Sequence, residues 1–223
     1  GRADREKNIA NTVDTKFRFG SMQKMMTAIA VLQLVQEGKL RLDATFGTYL
    51  TDYPKADMAS EVTIHHLLTH TGGTGDIFGA QFNANRLQLR EIDDYLKLYG
   101  TRNLLFTPGT QNAYSNYGFM LLGAIIERVS GMRYDDYINA PILQPAGMTT
   151  TGTAPEDSIV PGRYAGYMRQ NSESPWVSNA STLPYRGTPA GGGYFTAEDL
   201  ARLAAAIREH RLLEAAHTEL LIT

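Results

Sequence analysis

The chain has 223 residues, of which 43% are hydrophobic, and this is enough to bury one sizeable core, with or without an attached lobe. A formal net charge of −2 gives no electrostatic reason to expect nucleic acid or an anionic membrane as a partner. The absence of cysteine excludes disulfides and thiolate metal sites, but it fits both the cytoplasm and the periplasm. No apolar run approaches the roughly 20 residues of a membrane span.

The first predicted helix opens with the most informative stretch, the tetrapeptide that joins Ser21 to Lys24. Apolar residues recur at helical spacing over 22–37 without Gly or Pro, and Gly38 stands where a C-cap glycine belongs. Ser21 and Lys24 are one helical turn apart, so the amine can reach the hydroxyl and activate it as a nucleophile. The start of a helix also favours negative charge that develops on the serine. A serine N-cap followed by a surface lysine is the alternative.

Further helices are predicted from periodicity and capping residues. A short helix begins after the N-cap Thr63 and ends before residue 71, and others cover residues 89–99, 117–130, 134–139, 197–209 and 214–221. Pro141 is expected to end the helix over 134–139, and Thr196 with Asp199 resembles a capping box with Asp in place of Glu. Residues 149–193, rich in Gly, Pro, Ser and Thr, predict a long loop region with only short strands.

A second polar motif, Tyr114-Ser115-Asn116, follows a Pro-Gly turn and leads into the helix predicted over 117–130. A tyrosine there can act as a general base once nearby cations lower its pKa. An asparagine can bridge a lysine and a substrate amide. The alternative is an aromatic plug followed by an asparagine N-cap.

Three other features have structural alternatives that we favour or leave open. His66 and His70 have the i, i+4 spacing of two metal ligands on a helix, but no glutamate lies between them as in a zinc-protease helix, so packing is preferred. The glycines at 191–193 indicate a tight turn beside the site rather than a phosphate cradle. Trp176 and Tyr167 either line a substrate cleft or anchor a loop.

Taken together, these motifs resemble the serine β-lactamase and penicillin-binding-protein superfamily. The Tyr-x-Asn form of the second motif is most similar to the branch of class C β-lactamases, D,D-peptidases and family VIII esterases. The resemblance runs through nearly the whole chain, and the residues that carry it lie in the segments Phe17–Lys24, Val62–Gly73, Phe106–Thr110, Tyr114–Gly118, Pro145–Met148 and Pro189–Gly192.

The resemblance implies an α+β fold of the β-lactamase/transpeptidase type, with residues 1–223 as one domain. Within it, we expect a helical part at about 16–145, a loop-rich active-site rim at about 149–193, called the rim below, and C-terminal helices at about 196–222. The family's third motif, Lys-Thr-Gly or His-x-Gly on a strand, has no match after Gly193. We therefore expect that both flanks, and much of the central antiparallel sheet, lie outside this chain.

The resemblance also implies a mechanism of two-step acyl transfer on a β-lactam, an ester or a D-alanyl amide, such as a peptidoglycan-like substrate. Ser21 would be the nucleophile, Lys24 and Tyr114 would handle the proton, and Asn116 would orient the acyl side chain and hold the lysine. The backbone N–H of Ser21 would form half of the oxyanion hole. The substrate-binding residues would be Gln23, Gly191 and Gly192.

No metal ion or organic cofactor is implied by the resemblance. Loss of one oxyanion donor costs an enzyme roughly a hundred- to a thousandfold in rate, so the activity of the chain by itself stays open. The alternative is a non-catalytic or incomplete member of the superfamily that serves as a binding or assembly module. Apolar helix faces left exposed by missing strands would then favour self-association.

Overall fold

The computed structural model describes residues 1–223 as an α+β structure dominated by helices. Its helices are α1 (Gln23–Gln36), α2 (Ala56–Glu61), α3 (Ile64–Leu68), α4 (Ala80–Asn85), α5 (Ile92–Tyr99), α6 (Asn116–Ser130), α7 (Tyr134–Ile138), α8 (Gln144–Ala146), α9 (Ala197–Arg208) and α10 (Ala215–Ile222). Its strands are β1 (Arg2–Asp4), β2 (Ile9–Ala10), β3 (Phe17–Arg18), β4 (Tyr167–Met168), β5 (Val177–Ser178) and β6 (Tyr194–Phe195). No helix combines the length and the apolar character needed to cross a bilayer.

Helices α1 and α6 pack against each other at the centre of the molecule, and we call this pair the helical body. Met26 and Ile29 of α1 and Leu122 and Ile125 of α6 are fully buried in a hydrophobic cluster of 43 residues. Each such side chain contributes roughly 1.5–3 kcal/mol by burial. The body therefore fixes the N-terminal ends of both helices, where the sequence places its two polar motifs.

The strands form three two-stranded antiparallel sheets, β1–β2, β3–β6 and β4–β5. In the second of these, Phe17 pairs with Phe195 and Arg18 with Tyr194. The Phe19 N–H continues the contact by donating to the Gly193 carbonyl at 3.1 Å. This pairing brings the end of the rim next to the start of α1.

Most of the predicted helices are confirmed to within a few residues. Gly38 follows α1 with a φ of 69°, and Gly131 ends α6 in the left-handed conformation, as expected of C-terminal glycines. Thr63 caps α3 by accepting the His66 N–H at 3.1 Å. The N-cap of α6 is Ser115, whose hydroxyl accepts the Gly118 N–H at 2.9 Å, and not Asn116.

Two predicted helix boundaries are wrong. Pro141 does not end a helix, because the chain continues from α7 through a π-helical turn, Asn139–Leu143, into α8. A wider turn accommodates a residue that lacks an N–H and whose ring crowds the preceding turn. Helix α5 begins at Ile92 rather than at residue 89, because Glu91 is its N-cap and donates its N–H to the Asp94 carboxylate at 2.9 Å.

The predicted capping box at Thr196 forms only in part. The Thr196 hydroxyl accepts the Asp199 N–H at 3.3 Å, but the fully buried Asp199 carboxylate turns to the rim instead of the N-cap. It accepts hydrogen bonds from the Thr150 N–H at 3.0 Å, the Thr150 hydroxyl at 2.6 Å and the Thr151 hydroxyl at 2.8 Å. This carboxylate thus joins α9 to the beginning of the rim.

Candidate active site

Ser21 lies in a single 3-10 turn, Gly20–Met22, that leads directly into α1. The Tyr114 hydroxyl donates to Ser21 Oγ at 2.7 Å, and Lys24 Nζ lies 3.5 Å from the same oxygen. The structure therefore brings together the alcohol, the amine and the phenol that the two motifs predicted, although 93 residues separate Ser21 from Tyr114.

Lys24 is the most enclosed of these groups, with only 8% of its surface exposed. Its ammonium donates to Asn116 Oδ1 at 2.7 Å and to the Ala190 carbonyl, and it lies 4.7 Å from the centroid of the Tyr114 ring. Burial lowers the pKa of Lys24, and the nearby Tyr114 phenol and Asp76 carboxylate partly offset this effect. The neutral amine, which can accept a proton, is therefore available at lower pH than for an ordinary lysine.

Asn116, the first residue of α6, owes its orientation to a residue that the sequence did not indicate. Its Nδ2 donates to Asp76 Oδ1 at 2.8 Å, and its backbone N–H donates to the same oxygen at 3.3 Å. Because the amide nitrogen is held by a carboxylate, the amide oxygen faces Lys24. Asp76 lies between α3 and α4 in a loop with no recognisable pattern, so nothing in the sequence predicted this contact.

His70 also reaches the site, although not as the metal ligand that was considered. Helix α3 ends at Leu68, and His70 has a φ of 59°, so it does not share a helix face with His66. His70 Nδ1 accepts the Ser115 N–H at 3.1 Å, and its ring centroid lies 4.5 Å from that of Tyr114. His66 Nδ1 instead accepts the Thr63 N–H at 3.3 Å.

A cavity of about 110 Å³ opens beside Ser21. Its walls are Arg18, Gly20, Ile77, Phe78, Asn116, Leu183, Pro184, Thr188, Ala190, Gly191 and Gly192. Gly191 and Gly192, which the sequence analysis predicts to bind substrate, are two of these lining residues. The chain at Gly191 passes so close that a Cβ there would be 3.2 Å from the Gly20 carbonyl oxygen. The Gly191 N–H donates to the Thr188 carbonyl at 3.1 Å, so this residue forms a wall of the cavity.

Three other residues proposed from the sequence lie outside this cavity. Gln23, predicted to bind substrate, is 2% exposed and donates to the Tyr134 hydroxyl at 3.2 Å, because it lies on the buried side of α1. Trp176 is contacted by the guanidinium group of Arg5, 4.7 Å from the ring centroid. The Tyr167 hydroxyl accepts the Arg5 N–H at 3.2 Å. Both aromatic residues therefore anchor the N-terminal strand region to the rim, which is the second of the two alternatives.

A larger groove, of about 620 Å³, lies elsewhere on the surface, where α5 and α6 meet the segment 50–54. It contains none of the residues that surround Ser21. Ser21 and Asn116 therefore line the smaller cavity, whose exposed surface is mainly apolar.

The fold and the two motifs define a class of protein, and comparison with known proteins identifies the family. The whole chain, residues 1–223, matches the family model described as Beta-lactamase. The protein therefore belongs to the beta-lactamase family. This membership confirms the superfamily and the α+β fold that the sequence motifs predicted.

The names of individual relatives describe different kinds of protein, among them an esterase and a penicillin-binding protein. The chain is 36% identical over 178 residues to Esterase EstB of Burkholderia gladioli, covering 74% of this chain and 44% of the esterase. It is 33% identical to the putative penicillin-binding protein PbpX of Bacillus subtilis, covering 95% of this chain and 51% of that protein. The chain thus spans about half the length of these curated relatives.

Among solved structures, the crystal structure of a penicillin-binding protein from Bacillus halodurans is similar over 100% of this chain and 69% of its own. The identity is 37% and the TM-score is 0.90. This experimentally determined relative therefore shares the arrangement of the helical body and the rim.

Proposed function

We propose that the protein is a serine hydrolase that forms an acyl-enzyme on Ser21 with an ester, a β-lactam or a D-alanyl amide. The observation that carries this proposal is the approach of two proton-handling groups to one hydroxyl, with Tyr114 OH at 2.7 Å and Lys24 Nζ at 3.5 Å from Ser21 Oγ. A serine hydroxyl needs such partners to attack a carbonyl near neutral pH.

In the first step, Ser21 Oγ attacks the substrate carbonyl carbon. Because Tyr114 donates to this oxygen, the serine proton is free to point at Lys24. A neutral Lys24 keeps two N–H donors for Asn116 and the Ala190 carbonyl and turns its lone pair to the serine. The Oγ–H bond breaks as the Oγ–C bond forms. The leaving alcohol or amine then departs with a proton from the Tyr114 phenol, which Lys24 replaces.

The oxyanion formed in this step needs preorganised N–H donors. The Ser21 backbone N–H lies in the first turn before α1, where helix N–H groups lack partners within the helix. In the second step, a water beside Tyr114 attacks the acyl carbon. Its proton passes to the Tyr114 oxygen as the phenol proton passes to the neutral Lys24, and the C–Oγ bond then breaks while this proton returns to Ser21 Oγ. Tyr114 suits this role because half of its surface is exposed, whereas Lys24 is buried.

Covalent labelling tests the proposal directly. The purified protein is treated with a fluorophosphonate and, separately, with a penicillin, and the intact mass and the labelled peptide are determined. We expect one adduct on Ser21, none in Ser21→Ala, and normal labelling in Ser60→Ala, which removes an exposed serine of α2. If the folded protein takes up neither reagent, the proposal fails and the non-catalytic binding role is favoured.

Among the three substrate classes we favour esters. The name of the similar Burkholderia gladioli protein, Esterase EstB, supports this choice, as does the mainly apolar wall formed by Ile77, Phe78 and Leu183. Rates with a short-chain nitrophenyl ester and a chromogenic cephalosporin, measured on one preparation, test it. Faster turnover of the cephalosporin would contradict the preference for esters without contradicting the role of Ser21.

A further inference from the structure

We propose that His70 is a positioning residue that holds Tyr114 against Ser21, and that it does so only while its imidazole is neutral. The inference rests on the proposed function, because it concerns the group that exchanges a proton with the nucleophile. His70 does not touch Ser21, and its effect is transmitted through the peptide and the ring of Tyr114.

The backbone on both sides of Tyr114 is bound to this one histidine. The Ala113 N–H donates to the His70 carbonyl at 2.9 Å, and the Ser115 N–H donates to His70 Nδ1 at 3.1 Å. The two N–H groups that flank Tyr114 in the chain therefore share one partner residue. A shift of His70 would move the Tyr114 Cα with it.

The His70 ring also supports the Tyr114 ring from beneath. The two ring centroids are 4.5 Å apart with planes inclined at 36°, and Phe119 packs on the same imidazole at 5.3 Å. Tyr114 is half exposed, and the Lys24 ammonium also lies against its ring, 4.7 Å from the centroid. The imidazole therefore adds a packing contact to a phenol that is only partly enclosed.

The backbone of His70 indicates that this geometry is imposed by the surrounding structure. Its φ of 59° lies in the left-handed region, which is uncommon for residues other than Gly, Asn and Asp. Such a conformation persists only where neighbouring contacts determine it, and it is found often at functional sites. Asparagine tolerates the same conformation and carries an acceptor, Oδ1, two bonds beyond its Cβ, as histidine does with Nδ1.

The required charge state follows from the same contacts. An imidazole that accepts at Nδ1 carries its proton on Nε2, and protonation of Nδ1 would place an N–H against the Ser115 N–H. The titratable groups that face His70 are Lys24, Asp76 and Tyr114. Burial lowers the pKa of His70, the Lys24 ammonium lowers it further, and Asp76 opposes both. The neutral form therefore persists to lower pH than for an ordinary histidine. Acylation of Ser21 should fall as the pH drops through the pKa of His70.

Three substitutions of His70 distinguish the effect of its hydrogen-bond acceptor from the effect of its aromatic ring. We expect His70→Asn to keep acylation of Ser21 by a fluorophosphonate within about threefold of the wild type, and His70→Phe and His70→Ala to lose at least about tenfold, since misplaced acid–base groups forfeit part of their usual effect. His66→Asn is the matched control, because His66 also accepts a backbone N–H but lies outside the site.

The pH profile provides a readout that a purely structural role would not change. In the wild type, the acylation rate should decline at low pH with a contribution from His70, and His70→Asn should remove that contribution because asparagine does not titrate. An unchanged acidic limb in His70→Asn would overturn the requirement for a neutral imidazole.

Hydrogen exchange separates failure of this inference from failure of the proposed function. The Ser115 amide should exchange much faster in His70→Ala than in the wild type and stay protected in His70→Asn. The Ala113 amide, whose acceptor is the backbone carbonyl of residue 70, should change much less and serves as the internal reference. This holds whether or not Ser21 can be acylated. If the Ser115 amide exchanges equally in the wild type and His70→Ala, His70 does not position Tyr114.

Discussion

The helical body and the rim differ in how they are held together. Residues of α1 and α6 such as Met26 and Ile125 are fully buried in one apolar cluster. The rim has only two two-residue strands, β4 and β5, within residues 149–193, and it exposes large apolar side chains such as Ile159 and Trp176. Polar contacts join it to several other elements of the chain, and Ala190 at its end packs in the hydrophobic cluster.

Three of these polar contacts join the rim to β3, to α9 and to α1. Arg18 of β3 makes a bidentate ion pair with Glu156, with both hydrogen bonds at 2.6 Å. Asp199 of α9 accepts hydrogen bonds from the start of the rim. At the other end, the Ala190 carbonyl accepts from Lys24. The groups proposed to handle the proton therefore lie in α1 and directly before α6, whereas the rim contributes walls of the cavity. Changes in the body should affect the chemical steps, and changes in the rim should affect stability and substrate binding.

The largest effect is expected from Lys24→Met, which keeps the length of the side chain and removes the amine. Acylation of Ser21 should fall about a thousandfold or more, since both the proton acceptor and the partner of Asn116 are lost. Acylation kinetics measure this. Lys97→Met, at an exposed position of α5, should leave the rate unchanged. A loss of acylation rate below tenfold would show that Lys24 is not the main proton acceptor for Ser21.

Tyr114→Phe should have the next largest effect, about a hundred- to a thousandfold on acylation, because it deletes the only hydroxyl that donates to Ser21. The thermal unfolding temperature should hardly change, since the ring packing on His70 is kept. Tyr164→Phe in the rim is the control. Equal losses in both variants would contradict the division between body and rim.

Asp199→Ala tests the rim through stability. Three donors on Thr150 and Thr151 would lose a fully buried acceptor, so the free energy of unfolding should fall by about 2–3 kcal/mol. Urea denaturation measures this change. Removing the exposed carboxylate of Glu198 next to it should cost much less. In the folded Asp199→Ala protein, we expect KM to rise more than kcat falls.

Asp76→Asn should produce a smaller effect on activity, about tenfold, by weakening a charge-assisted contact to the Asn116 amide while keeping the shape of the side chain. Because Asn116 Oδ1 then faces Lys24 less reliably, the loss should appear in kcat. Asp93→Asn, at an exposed position of α5, serves as the control. An effect confined to KM would indicate that Asp76 acts on substrate binding instead.

The smallest expected effect is on how the free energy of unfolding depends on pH. The pKa of Lys24 is lowered in the folded protein, so the unfolded chain binds this proton more tightly. Stability should therefore rise with pH between the folded pKa and that of an ordinary lysine, by at most about 1.4 kcal/mol per pH unit. Urea midpoints measured across this range should lose that slope in Lys24→Met and keep it in Lys39→Met.

The sequence predicts the site where local geometry is sufficient. The approach of Lys24 to Ser21 follows from one helical turn, and the placement of Asn116 follows from the start of α6. Asp76 and His70 could not be found in this way, because they lie in loops whose conformation is set by contacts with distant residues. The burial of Gln23 was missed since a residue beside a nucleophile can face either side of its helix.

The helices show the same limit. Apolar spacing predicts α1 and α6 within a residue or two at each end, because each buries a continuous face. The short helices α2 and α4 have no such face long enough to recognise. The π-helical turn at Pro141 was not predicted because sequence rules treat an interior proline as an end, while the packing of α7 and α8 keeps the helical path.

The bond from Lys24 to the Ala190 carbonyl also has a consequence for biosynthesis. A ribosome synthesises Ser21, Lys24 and Tyr114 before residue 190, which lies 166 positions after the lysine. Until then, the Lys24 ammonium lacks the Ala190 carbonyl as a hydrogen-bond acceptor, and the lysine is less buried. The nascent polypeptide therefore carries these side chains without the complete environment that lowers the pKa of Lys24 until the end of the rim has been synthesised and has docked.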